Sequence, residues 1–287
     1  MRGKERAVGP AVAGSWYPDD PTVLARKVEG YLAGESGSEE ARGRVVALIE
    51  PHAGYVYSGA VAGQGFRLVR GRNYTRVILL GPSHYVRYRG AALPDADVYR
   101  TPLGDVALDC EVVESLGRHP RFTISNSPFE PEHSLEAEIP FLQCALEPGS
   151  RLVPVLMGPE SSGSIAQEVA DELRPYMDEN TLVVVSSDFT HYGPRFAYVP
   201  FTEDLPNRIR ELDMGAVKLV ESGNVEGFED YVERTGATIC GRDAIDVLLR
   251  LLTDDTRASL IAYDTSGRIT GDWGHSVSYA ALAFHRG

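Results

Sequence analysis

Three apolar stretches of the chain end in the same way. Val45–Ile49 runs into Glu50-Pro51-His52-Ala53-Gly54-Tyr55, Arg76–Leu80 into Gly81-Pro82-Ser83-His84-Tyr85, and Thr181–Ser186 into Ser187-Asp188-Phe189-Thr190-His191-Tyr192. Each delivers a histidine and, soon after it, a tyrosine. Neutral imidazole is the commonest metal-ligand side chain and is also a general acid or base near neutral pH. One histidine at such a position is ordinarily a hydrogen-bonded loop residue. Three at matched positions exceed what packing demands, and point to a metal site or to acid–base catalysis.

Two further segments carry candidate chemistry. His133 lies in Phe129-Glu130-Pro131-Glu132-His133-Ser134-Leu135-Glu136, at an expected helix start. His133 and Glu136 could share a face there, with Ser134 as cap; the alternative is a capped helix start with a solvated acidic turn. Cys240, in Thr238-Ile239-Cys240-Gly241-Arg242, directly precedes a predicted helix. A helix N-terminus lowers a thiol's pKa and favours the thiolate that attacks or binds metal; the alternative is a small buried hydrophobe. Cys110 and Cys144 read as core, and His119, His275 and His285 as loop, strand-start and near-terminal residues. No HExxH, EF-hand loop, P-loop, GxGxxG or GxSxG is present.

The elements that must position these residues alternate. Strands are predicted at Val45–Ile49, Arg76–Leu80, Leu152–Met157, Thr181–Ser186, Ser259–Tyr263 and Ser276–Phe284, most of them apolar throughout, as in strands covered on both faces. Helices are predicted at Pro21–Leu32, Ser58–Val69, Leu135–Leu146 (kinked or restarted at Pro140), Ile165–Met177, Leu205–Val220 and Arg242–Leu252. Asp20 caps the first of these and Pro21 suits its first turn. Ala33–Arg44 reads as an exposed loop. The pattern specifies an α/β fold, one domain over residues 1–287, with a mainly parallel or mixed central sheet flanked by helices. Ligands of such sheets bind outside the carboxyl ends of the strands, where the histidines fall.

Composition narrows the partners. The 287 residues carry 28 Lys+Arg against 41 Asp+Glu, a net charge of −13, and no basic run offers a footprint for a phosphate backbone, so nucleic acid is not expected. The longest apolar run, Tyr279–Phe284, is far short of the roughly 20 residues of a membrane span. The stretch Val8–Ala13, behind Arg2, Lys4, Glu5 and Arg6, is too short for a signal segment. Three cysteines without a CxxC argue for a reducing, cytoplasmic setting.

Taken jointly and in order, Ala13-Gly14-Ser15-Trp16-Tyr17-Pro18, Pro51-His52-Ala53-Gly54-Tyr55-Val56-Tyr57-Ser58-Gly59, Gly81-Pro82-Ser83-His84, Glu132-His133-Ser134-Leu135-Glu136, Ser186-Ser187-Asp188-Phe189-Thr190-His191-Tyr192 and Cys240-Gly241 resemble the Memo family over nearly the whole chain. That family is similar in fold to the class III extradiol dioxygenases, non-haem iron(II) enzymes. The resemblance implies a metal pocket of His52, His84 and Cys240, with His191 as acid/base histidine accompanied by Asp188, and with Trp16, Tyr55 and His133 lining the cleft. It implies Fe(II), with copper or zinc as alternatives, because a thiolate in place of the dioxygenases' glutamate softens the site. It also implies a small-molecule or peptide ligand, and AMMECR1-like and radical SAM proteins as partners.

Three functions follow as expectations. The first is a metal-dependent redox protein with a dioxygenase-like pocket. The second is a non-catalytic binding module using the same cleft, whose aromatic lining would come from Trp16, Tyr17, Tyr55, Tyr57, Tyr85 and Tyr192. The third is a metal-free enzyme with Cys240 as nucleophile and His191 as its base.

Overall fold

The computed structural model describes residues 5–34 and 43–287, so most of the expected loop Ala33–Arg44 lies outside the described residues, as do Arg2 and Lys4. In chain order the elements are β1 (Ala7–Val8), α1 (Pro21–Leu32), β2 (Arg44–Glu50), α2 (Tyr55–Phe66), β3 (Arg76–Pro82), β4 (Ala91–Leu93), β5 (Val98–Thr101), β6 (Gly104–Ala107), α3 (Cys110–Leu116), β7 (Phe122–Ile124) and α4 (Ile139–Ala145). There follow β8 (Arg151–Met157), α5 (Ser164–Leu173), β9 (Thr181–Ser186), β10 (His191–Tyr192), α6 (Leu205–Glu221), α7 (Val225–Thr235), α8 (Arg242–Leu251), β11 (Thr256–Thr265), α9 (Ser266–Thr270) and β12 (Ser276–Arg286).

Nine strands form one mixed sheet in the order β10-β12-β2-β9-β3-β8-β4-β7, with β11 paired to β12. Its centre is parallel: Ile49 is level with Val185, and Leu80 with both Val185 and Val155. The outer pairs β12–β2, β11–β12 and β4–β8 are antiparallel. A separate three-stranded sheet joins β1, β5 and β6.

The continuous apolar strands divide by the two-residue period of a strand. Ile78, Leu80, Val153, Val155, Val183 and Val185 pack toward α3 and α5–α8, while Val77, Leu79, Leu152, Leu182 and Val184 pack toward α1, α2 and α4. The sheet is thus buried on both sides and leaves its strand ends for chemistry.

Helix ends follow the local signals. Asp20 Oδ1 accepts from Val23 N at 2.9 Å, capping α1, with Pro21 in its first turn. The predicted Leu135–Leu146 helix is instead a 3-10 turn at Glu136–Glu138 followed by α4, which restarts with Pro140 in its first turn, where its missing N–H costs nothing. The predicted helix at Ser58 begins at Tyr55, directly after Gly54, and its last residues Arg67–Val69 form a 3-10 turn. Both C-terminal strands extend beyond their apolar stretches, because main-chain pairing along β11–β12 continues through the polar ends. Ser134 does not cap a helix; its hydroxyl donates to Pro82 O at 2.8 Å and ties this segment to the end of β3. Among the described residues no helix is long and apolar enough to cross a membrane.

Candidate metal centre

His52 and His84 each stand two residues beyond the ends of β2 and β3, and His191 opens β10. Parallel pairing of β2, β9 and β3 brings these ends to one edge. His133 arrives from the segment between β7 and α4. The His84 and His133 rings stack at 4.6 Å between centroids, and His52 meets them edge-on at 5.3 and 5.4 Å. One potential ligand nitrogen from each of the three lies within 4.8 Å of the others. His52 and His133 are buried, while the His84 side chain is 27% exposed and opens the group to solvent.

The imidazoles are held from behind. Glu132, 1% exposed, accepts from His84 N at 2.6 Å through Oε2, and from His133 N and Ser134 N at 2.9 Å each through Oε1. Oε1 also lies 2.9 Å from His84 Nδ1. Burial pushes this carboxyl up, but the hydrogen bond to His84 and the pull of His84 and His133 outweigh it and hold it below the ordinary range. An ionised carboxylate only accepts, so His84 donates to it through Nδ1–H, which leaves Nε2 as the nitrogen that can ligate. His52 Nδ1 lies 2.7 Å from Ser186 Oγ, and its backbone N–H donates to Asp188 Oδ1 at 3.0 Å. Burial first, and neighbouring histidines second, lower His52 well below the usual imidazole range; the same causes bring His133 down to about 4. Both are neutral at pH 7, the form that ligates metal.

Cys240 Sγ lies 3.4 Å from His52 Nε2 and accepts from Asp188 N at 3.1 Å. It stands beside the three-histidine group, and Gly241 makes its approach possible: a Cβ there would lie 2.5 Å from Ser187 Cβ. The thiol departs from the sequence expectation. Burial, then the Asp188 charge, push it well above its ordinary value, overriding the helix N-terminus behind it. The imidazole beside Sγ is His52, not His191, and a protonated thiol is a poor nucleophile. The metal-free Cys240–His191 reading therefore has no geometric support.

His191 Nδ1 lies 2.9 Å from Phe189 O and 3.0 Å from Thr238 O, two groups that only accept, so Nδ1 carries the proton and Nε2 the lone pair. Burial lowers its pKa. Asp188 is pushed up to about 7 by burial, opposed by the His52 N–H and by His84. Trp16 packs on His133 with centroids 4.1 Å apart. Its arm is anchored by buried Glu136, which accepts from Ala11 N at 2.5 Å, Val12 N at 3.1 Å and the Tyr17 hydroxyl. Beside Trp16 opens a groove of about 810 Å³, lined also by Ala53, Tyr57, Asp272, His275 and Tyr279. Tyr55 sits in the packing beneath, 2% exposed, its hydroxyl donating to Ala137 O at 2.7 Å. Tyr192 is likewise buried, while Tyr57 and Tyr85 are exposed.

The alternative of a solvated acidic turn does not hold: Glu132, Glu136 and Glu138 are each no more than 1% exposed. Spacing did not single out Ser186 or Glu138, nor give Glu132 its place behind His84. The available signal was a run of glutamates alternating with Leu135, Ala137 and Ile139 in an otherwise apolar segment.

The donor set suits a metal. A metal about 2.1 Å from each nitrogen needs ligands no more than about 4.2 Å apart; the three imidazole nitrogens lie within 4.8 Å, so the rings would draw in by up to about 0.6 Å to hold one. Cys240 Sγ, 3.4 Å from His52 Nε2, places a soft donor beside that nitrogen, and its thiol proton is the one a metal would displace.

The family model described as Memo-like protein matches residues 9–283. Protein MEMO1 of Danio rerio is 36% identical over 94% of this chain and 95% of its own length, and Protein MEMO1 of Homo sapiens 35% identical over the same shares. The memo-1 homolog of Caenorhabditis elegans is 35% identical over 94% of this chain and 80% of its own. A crystal structure of an uncharacterized Escherichia coli K12 protein superposes with a TM-score of 0.53, covering 84% of this chain and 99% of that one, and at 16% identity it speaks for the fold alone. With its strand-end histidines, its half-buried Cys240 and these matches along its length, the chain belongs to the Memo family.

Proposed function

We propose that the pocket binds one divalent redox-active metal, Fe(II) in the first place with copper or zinc as alternatives, and serves as a dioxygenase-like redox centre. The observation that carries this reading is the convergence of three imidazoles, with Cys240 beside His52, at one strand edge. His52, His84 and Cys240 are the proposed ligands, and His133 offers a further nitrogen. The metal would supply a Lewis-acid, electron-transferring centre in a softer donor set than two histidines and a carboxylate.

The chain's own groups do the rest. Glu132 fixes the His84 ring, and Asp188 N–H, donating to Sγ, stabilises the thiolate over the thiol. His191 presents an unprotonated Nε2, with Nδ1 tied to two carbonyls, and takes or returns a proton there. Asp188, poised near neutrality, is the companion carboxyl. Metal analysis of anaerobically purified protein tests the reading. One metal per chain, lost in a His52→Ala/His84→Ala double variant, is expected; no stoichiometric metal refutes it.

A second reading has its own observation, the groove that shares Trp16 with the site. As a binding module the chain would take a small-molecule or peptide ligand there without turnover. Partner capture by wild type and by Trp16→Ala discriminates: loss of a partner with metal retained favours the module.

A further inference from the structure

Two carboxyl groups behind His52 have no part in the chemistry above. Glu138, which closes the 3-10 turn before α4, and Glu50, the last residue of β2, are 1% and 0% exposed. Glu138 Oε1 lies 2.9 Å from Ser186 Oγ, which in turn lies 2.7 Å from His52 Nδ1 and donates to Ser134 O at 2.6 Å. Glu138 Oε2 and both Glu50 oxygens have no hydrogen-bond partner among the described residues.

Counting protons assigns the roles. A serine hydroxyl has one proton to give and two lone pairs to receive with. The Ser134 carbonyl only accepts, and it makes the shortest contact, so it takes that proton. Both remaining neighbours of Oγ must then donate: His52 through Nδ1–H, and Glu138 through a carboxylic O–H. An ionised Glu138 has nothing to donate and would set lone pair against lone pair. Its surroundings agree. Burial holds Glu138 well above the ordinary carboxyl range and Asp188 adds to this, with only Ser186 opposing. Of the groups facing it, Asp188 from the loop after β9 disfavours a negative charge, as would an ionised Glu50 from β2, while Tyr55 from α2 stays a neutral phenol.

We propose that Glu138 is a neutral carboxylic acid whose hydrogen bond to Ser186 locks His52 in the Nδ1–H tautomer and so presents Nε2 to the pocket. Glu138 and Ser186 are positioning residues; their bearing on metal rests on the proposal that His52 is a ligand. A ligating histidine commonly donates its second N–H to a carboxylate, carbonyl or water. Here the two imidazoles are backed differently, His84 by the ionised Glu132 and His52 by a serine held by an uncharged acid.

The test is nitrogen NMR of the histidine rings in the metal-free full chain, with His52 assigned by its loss in His52→Gln, beside Zn²⁺ titrations. Wild type should show His52 protonated at Nδ1 alone. Glu138→Gln, whose amide N–H₂ replaces the acid as donor, should keep that tautomer and bind Zn²⁺ as wild type does. Ser186→Ala and Glu138→Ala should give mixed tautomers and bind Zn²⁺ about 10- to 100-fold more weakly. Loss of tautomer and affinity in Glu138→Gln equal to that in Glu138→Ala would show that the group acts as a carboxylate and overturn the proposal. So would an Nε2–H tautomer in wild type, a result that needs no variant to fold. If the tautomers follow expectation but Zn²⁺ does not bind, the positioning stands and the metal reading falls.

Discussion

Replacing Glu132 by glutamine keeps the shape of the side chain and removes one acceptor and the charge. The carboxylate takes three backbone N–H groups and His84 Nδ1–H, with Oε1 and Oε2 both in use. Whichever way the amide turns, its N–H₂ faces a donor. A hydrogen bond to a charged group contributes about 1.5–3 kcal/mol, and a buried donor left unpaired costs about 1–3 kcal/mol. One lost bond and weaker remaining ones give about 3 kcal/mol of destabilisation. For a chain of this size that is about 6–12 °C in Tm. Metal affinity should fall about 10- to 100-fold, because His84 loses the group that orients it. The pH dependence has a definite sign. Glu132 is held below its unfolded pKa, so its stabilisation is present above the unfolded carboxylate range and is lost as pH falls through the folded value. The Tm gap between wild type and Glu132→Gln should therefore be full at pH 7 and shrink toward pH 3. Thermal melts at both pH values with Zn²⁺ titrations are the assay. A variant that melts with wild type at pH 7 and binds metal equally would refute the reasoning.

Two further perturbations have signs set by the structure. Gly65→Ala would improve helix propensity in α2, yet its Cβ would lie 1.6 Å from Glu50 Oε1, a side chain with no exposed surface to move into. Overpacking of this kind costs about 1–3 kcal/mol, so the variant should melt lower; an unchanged or higher Tm contradicts the packing. Asp246, beside Glu229 and Arg250, is pushed up to about 7 by burial and by its hydrogen bond to Glu229. The folded chain keeps a proton there that the unfolded chain loses near pH 4, so wild-type stability falls as pH rises from 4 to 7. Asp246→Asn, whatever its offset, should gain on wild type across that window in melts at several pH values; a constant or widening deficit contradicts this.

The parts of the site legible in the sequence are those that local chain direction controls. His52, His84 and His191 follow apolar runs that can only be buried strands, and the carboxyl edge of an α/β sheet gathers such residues. Cys240 stood out by its place before a helix, but it reaches His52 across 188 residues of chain, a contact no spacing encodes; its grouping with His52 and His84 came from the family resemblance. The acids behind the site were illegible for a different reason. Glu132 owes its burial to the remote His84 together with its neighbours' N–H groups, Glu136 to N–H groups of the remote Ala11–Val12 segment, and Glu138 and Glu50 sit in surroundings that disfavour their charge. A glutamate's sequence neighbours carry no record of either. The thiol of Cys240 shows the same limit, since a helix start was visible but the depth of its burial was not.

The central claim is that one metal sits among His52, His84 and Cys240. Diffraction from anaerobically grown crystals, recorded at the iron, copper and zinc absorption edges, tests it most directly. One anomalous peak per chain is expected, bonded to a nitrogen of His52, a nitrogen of His84 and Cys240 Sγ, strongest at the iron edge. A peak held by the three imidazoles with Cys240 Sγ unbonded would contradict the ligand set, and no peak at any edge would contradict the metal centre itself.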